Sequence, residues 1–117
     1  MNSEYTVSII IPAYNSEKTI RSCLEKVTKE AELLKSEVIV VDDCSTDQTI
    51  EIIKTFQNIK LIKLESNLGA GISRNIGIKS SKGRFIAFCD ADDVWKKNKL
   101  SSQLLFMKKN KLKFSHT

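Results

Sequence analysis

Short β-branched runs alternate with helical periods along this 117-residue chain, and that alternation sets what it can fold into. Val7–Ile11 is an apolar run ended by Pro12. Val38–Val41 is a second, stopping at Asp42-Asp43, and residues 59–64 form a third, alternating one. The fourth, Phe85–Phe88, passes through Cys89 onto the carboxylates Asp90, Asp92 and Asp93. Runs this short and this apolar belong in the middle of a sheet. Between them, residues 17–34 carry Ile20, Cys23, Leu24, Val27, Ala31 and Leu34 at a helical period, with Ser16 placed as N-cap. A second helix is expected over 48–56, capped from Ser45-Thr46-Asp47, and a third over 72–80. A fourth is expected over 97–110 with Leu100, Leu104 and Met107 inward, followed by the start of a strand at 112–114. Strand–helix alternation implies parallel strands joined by right-handed crossovers, half of a doubly wound α/β nucleotide-binding fold. The length fits one modest domain with a real core.

In a parallel sheet every strand ends on the same edge, so Asp42-Asp43 and Asp90-Ala91-Asp92 are expected to share one crevice. Carboxylates crowded together repel unless a cation sits among them, and a hard divalent metal suits oxygen donors. A metal there points to a bound diphosphate and a nucleotide substrate. Ionised carboxylates also accept hydrogen bonds from sugar hydroxyls or a base edge; Asp47 is expected to cap the following helix, and capping is the lesser alternative for Asp42 and Asp92. The turn Asn67-Leu-Gly-Ala-Gly71 resembles a glycine-rich phosphate loop without the full dinucleotide spacing or a P-loop lysine. Arg74 follows, suited to a phosphate or to an ion pair with a neighbouring acid. Pro12-Ala13-Tyr14-Asn15 leaves the first strand with an aromatic ring that can stack on a base and an amide that can hold the turn.

The net charge of +5 is concentrated in lysines between 96 and 113. That stretch reads as a solvated helix face or as attraction to an anionic surface, such as lipid headgroups at the inner side of a membrane. Nothing marks a nucleic-acid binder, since no aromatics interleave with the basic residues. No apolar stretch approaches the roughly 18 residues of a membrane span. The start MNSEYT lacks the features of a secretion signal, so a cytoplasmic protein is expected. Cys23, Cys44 and Cys89 form neither a disulfide framework nor a zinc pattern.

VSIIIPAYN, VDDCSTD, NLGAGISRNIG and GRFIAFCDADDVW occur in order. Together they resemble the family 2 glycosyltransferases of the GT-A fold, bacterial enzymes that build polysaccharides, cell-wall polymers or glycoproteins. The resemblance covers nearly the whole chain and implies one family 2 domain over 1–117, in its donor-binding portion. It implies a UDP-sugar donor, Mn²⁺ or Mg²⁺, and hexosyl transfer with inversion to a hydroxyl on a glycan, lipid-linked or protein acceptor. Asp90 and Asp92 are implied as the DXD motif that holds the metal and does the catalytic work, with Ala91 between them. Asp43 is implied against the nucleobase with Asp42 nearby, Pro12 to Asn15 beside the nucleoside, and Glu17 at a recurrent acidic position. Asn67, Gly71 and Arg74 complete the expected donor site. Members of the family continue well past the DXD into an acceptor site and a carboxylate base. Here only a helix and a strand stub follow it, and His116, the only histidine, stands one residue from the end. A nucleotide-sugar-binding or assembly subunit without turnover is the alternative. A nucleotidyltransferase would carry a glycine-rich, basic loop after the first strand, where this chain has Pro-Ala-Tyr-Asn-Ser-Glu. The surplus apolar residues of the expected last helix, Leu105 and Phe106 among them, predict a homo-oligomer built through residues 97–117.

Overall fold

The computed structural model of the protein describes residues 5–91 together with Met107 and Lys108. The chain runs β1 (Val7–Ala13), α1 (Ile20–Leu34), β2 (Ser36–Asp42), α2 (Thr49–Ile53), β3 (Ile59–Lys63), α3 (Ala70–Ser80), β4 (Phe85–Phe88) and β5 (Met107–Lys108). The sheet order is β3-β2-β1-β4-β5. The first four strands are parallel, as the alternation predicts. β1 lies at the centre, with β2 on one side and β4 on the other. The connections therefore reverse direction across β1, and a crevice opens beyond the strand ends at that reversal.

Helices cover both faces, so β1 has no polar face to offer. Ile9, Ile11 and Ala13 pack with Ile20, Cys23, Leu24 and Val27 of α1 and with Ile53 of α2. Ile10 and Ile86 form a second cluster on the opposite face, with Ile78 of α3 against it. Each such fully buried aliphatic side chain contributes about 1.5–3 kcal/mol from burial. Cys23 and Cys89 are buried within this packing and Cys44 is partly exposed; none of the three is in a disulfide.

The N-terminal edge of the sheet is closed by polar contacts. Ser8, fully buried in β1, donates to Glu37 Oε2, and its oxygen accepts the Gly83 N–H at 2.7 Å. The Lys82 N–H reaches the same Glu37 oxygen at 2.6 Å. This latch fixes the turn that feeds β4.

Three expectations are corrected. α1 begins at Ile20, and the Ser16 hydroxyl does not cap it; that hydroxyl donates back to the Tyr14 carbonyl. The turn 17–19 is instead closed by the Ser16 carbonyl, which accepts the Thr19 and Ile20 N–H groups. The second helix is shorter than the 48–56 expected, because its last hydrogen bonds tighten into turns after Ile53. Met107 and Lys108 belong to a strand, not to a helix over 97–110: they pair antiparallel with Ile86 and Phe85. The outer edge of β4 carries backbone groups that need partners, and that tertiary demand overrides the local helical period. The rest of that expected helix, the strand start at 112–114, Asp92 and His116 lie outside the described residues. So does the surface expected to drive self-association, apart from Met107 and Lys108.

Candidate donor-binding crevice

The end of β1, the end of β2, the start of α3 and the end of β4 meet around a crevice of about 220 Å³. Pro12, Ala13, Tyr14, Asp43, Ala70, Ser73, Arg74 and Asp90 line it. Pro12, Ala13, Tyr14, Asp43, Arg74 and Asp90 are thus brought together as the sequence predicts. Tyr14 keeps 47% of its surface exposed at the rim, unusual for a large aromatic side chain beside a buried strand.

Asp43 ties three of the walls together. Its N–H donates to the Ala13 carbonyl at 2.8 Å, extending the β1–β2 ladder past the strand. Its carboxylate accepts the Leu68 N–H at 2.7 Å on one oxygen and the Gly69 N–H at 2.9 Å on the other. The Asn67 side-chain amide donates to its carbonyl at 3.1 Å. The loop entering α3 is therefore held by one side chain that is itself buried. Gly69, the N-cap of α3, sits at φ 97°, which an L side chain rarely adopts, so the turn requires glycine there. Asn67 holds this loop from outside the lining, and Gly71 also lies outside it, with no atom near enough to meet an added Cβ.

Asp42 and Asn15 hold the neighbouring loop. The Asp42 carboxylate turns back on Ser45, accepting its N–H at 2.9 Å and its hydroxyl at 2.6 Å. These bonds hold the turn at Ser45 and do not cap α2, which begins at Thr49. Asn15, at φ 47°, accepts the Thr46 N–H at 2.8 Å, and its own N–H donates to Ser45 Oγ at 2.8 Å. The turn after β1 is thereby stapled to the turn after β2. Glu17 stands outside the crevice lining. Its carboxylate accepts the Gln48 N–H at the entry to α2, while its N–H donates to Asp47. Asp47 also accepts the Thr49 N–H at 2.9 Å, but it stands one residue before Gln48, the N-cap of α2, which has no side-chain cap, so the capping expected of Asp47 is not what the structure shows. Partial burial pushes the Asp47 carboxyl up, but the hydrogen bonds from Thr49 and Glu17 outweigh this and hold it below its ordinary value.

Arg74 is exposed at the crevice and has no ion pair or side-chain hydrogen bond among the described residues, which do not include Asp92 and Asp93. Ala91, the middle residue of the DXD, is buried, and its carbonyl accepts the Thr19 hydroxyl at 3.0 Å. That bond fixes the chain after β4 and keeps Asp90 at the crevice. Ser73 is the residue sequence reasoning missed. It is fully buried, lines the crevice, and its hydroxyl has no hydrogen-bond partner among the described residues. A buried hydroxyl left unpaired costs about 1–3 kcal/mol. The signal for it lies in the helical spacing, since Ser73 falls one turn after Ala70 and beside Arg74.

The described residues contain no cluster of three or more His, Cys, Asp or Glu side chains that could cage a metal. A cation that takes one or two protein carboxylates, and fills its other positions with diphosphate oxygens and water, needs no such cage. Asp90 at the crevice fits that kind of site.

The model of glycosyl transferase family 2 matches residues 8–115. The chain belongs to that family. It is 42% identical over 115 residues to the Escherichia coli UDP-Glc:alpha-D-GlcNAc-diphosphoundecaprenol beta-1,3-glucosyltransferase WfgD, a match covering 97% of this chain and 45% of that protein. The solved structure of residues 1–349 of S. aureus TarS in complex with UDP superposes with a TM-score of 0.71 at 41% identity, over 82% of this chain and 30% of that one. TarS has also been solved with UDP-GlcNAc, with a TM-score of 0.68 to this chain at 40% identity. The fold alone is shared with the Pyrobaculum calidifontis mannosyltransferase PcManGT in complex with GDP-Man and Mn²⁺, at a TM-score of 0.73 and 23% identity. This family 2 chain thus has the α/β GT-A fold of glycosyltransferases. It spans less than half the length of the curated relatives it matches. Among the described residues no helix is long and apolar enough to cross a membrane.

Proposed function

We propose that residues 1–117 are the donor-binding portion of one glycosyltransferase domain. It takes a UDP-sugar and passes a hexosyl group, with inversion, to a hydroxyl of a glycan, lipid-linked or protein acceptor. The observation that carries this reading is the convergence of Tyr14, Asp43, Arg74 and Asp90 on one crevice at the sheet's reversal point. The likeness to TarS, solved with UDP and with UDP-GlcNAc, supports the uridine nucleotide. WfgD, whose name gives a diphosphoundecaprenol acceptor, supports a lipid-linked acceptor and work at the cytoplasmic face of the membrane.

In this reading Pro12 and Tyr14 form the apolar side of the nucleoside site, with the tyrosine ring free to stack on uracil. Asp43 keeps a lone pair on each carboxylate oxygen beyond the bonds it already accepts, and so can receive the base N–H as well. Arg74 places a permanent positive charge beside the diphosphate. Asp90, with Asp92, would hold Mn²⁺ or Mg²⁺. When bound, that cation neutralises charge on the diphosphate as it leaves.

The test is a calorimetric panel of UDP-glucose, UDP-GlcNAc and GDP-mannose, each with Mn²⁺, with Mg²⁺ and with chelator, followed by an assay for released nucleoside diphosphate. A UDP-sugar is expected to bind at least roughly tenfold (about 1.4 kcal/mol) more tightly with metal than with chelator, and more tightly than GDP-mannose. Equal affinity with and without metal would remove the metal from the account. Equal affinity across the panel would remove uridine recognition.

A further inference from the structure

We infer that Ser73 is a specificity-determining residue of the donor site, whose hydroxyl donates to a diphosphate oxygen of the bound nucleotide. The inference rests on the nucleotide reading above. Serine and threonine hydroxyls inside or at the end of a helix ordinarily return their proton to a carbonyl one turn back. Three others in this chain do so. Thr28 donates to Leu24 O at 2.7 Å, Thr55 to Ile52 O at 2.7 Å and Ser81 to Ile78 O at 2.6 Å. Ser73 does not: the Gly69 carbonyl one turn back accepts its backbone N–H, at 3.1 Å, and its hydroxyl has no partner among the described residues.

The place of this hydroxyl says what it would meet. Ser73 lies just past the first turn of the 11-residue helix α3, whose N-terminus favours an anion through its dipole and free N–H groups. Ala70 and Arg74, its neighbours on the helix, line the same crevice. The hydroxyl is closed off from solvent in the floor, and rotation about one bond, χ1, moves it among three staggered positions. An oxygen-rich anion entering beside Arg74 supplies the acceptor that the described residues do not.

The experiment compares wild type and Ser73→Ala in the full chain, by calorimetry with UDP and with uridine in the presence of Mg²⁺, and by thermal melting. The variant is expected to melt at or above the wild-type temperature, because it loses an unpaired buried hydroxyl and gains a better helix former. Its affinity for UDP is expected to fall by about five- to tenfold, with uridine affinity unchanged. Ser73→Cys, similar in size but a weak donor, is expected to fall between the two. Equal UDP affinity in wild type and Ser73→Ala overturns the assignment, and so does an equal loss for uridine. A marked drop in melting temperature overturns it too, by showing that the hydroxyl supports the fold. Absence of UDP binding in the wild type would sink the nucleotide reading itself, an outcome distinct from a wild type and variant that bind alike.

Discussion

Asp43→Ala is expected to weaken UDP binding by on the order of 1–3 kcal/mol, roughly 5- to 150-fold, and to loosen the entry to α3 before any ligand is added. Both effects follow from one carboxylate. It accepts the Leu68 and Gly69 N–H groups on separate oxygens, so its loss leaves two donors of the loop unpaired. That loop carries Gly69 in a left-handed conformation and sets where Ser73 and Arg74 stand. Asp43→Asn keeps one acceptor oxygen but turns an amide N–H₂ toward the other backbone N–H. An intermediate loss is expected. Amide exchange separates clamp from base contact: faster exchange at Leu68 and Gly69 in the ligand-free variant reports the clamp, and the calorimetric loss reports the site. A folded Asp43→Ala variant that binds UDP like wild type would show that the carboxylate contributes nothing to the nucleotide site.

The largest expected effect on stability is at the far edge of the sheet. A Cβ on Gly83 would stand 2.6 Å from the Ser8 nitrogen, 2.6 Å from the Val7 carbonyl carbon and 2.7 Å from Ser8 Oγ. Two of these atoms are backbone of the central strand, which is hydrogen-bonded on both sides and has no room to yield. The same glycine donates its N–H to Ser8 Oγ, so displacing it also breaks the latch that runs through Glu37. Gly83→Ala is expected to cost roughly 1–3 kcal/mol, and a small domain loses about 4–8 °C of melting temperature for each kcal/mol. Gly71→Ala is the internal comparison. Nothing lies near an added Cβ there, the position is helical, and the melting temperature is expected to hold or rise. A Gly83→Ala variant that melts with wild type would contradict the packing described at Ser8.

The strands were legible because their burial is written into composition. Val38–Val41 and Ile9–Ile11 have no polar position, and such runs have no stable place except between two layers of helix. The period of α1 was legible for the same reason: Ile20, Cys23, Leu24, Val27 and Ala31 are the residues it buries. The crevice followed from topology, since parallel strands must end together. What stayed hidden depended on partners distant in sequence. Nothing local says that Asp43 accepts N–H groups 25 and 26 residues away, or that Glu17 reaches Gln48. Ser16 looked like a cap because of its type and position, yet its N–H is taken by Thr49 Oγ1 and its hydroxyl by Tyr14. The strand at Met107–Lys108 was hidden behind a helical spacing of leucines, because the open edge of β4 is a property of the sheet and not of that segment. Ser73 was overlooked because a small polar residue in a helix is ordinary until its neighbours leave it unpaired.

The most direct test of the account is to map the UDP site by amide-resolved NMR as UDP and Mg²⁺ are added together. The expected result is saturable shifts concentrated at residues 13–15, 43, 67–74 and 89–91, around the crevice where β1 and β4 end. Saturable shifts confined to the opposite edge of the sheet, around Ser8, Glu37 and Gly83, or no saturable shift at all, would contradict it.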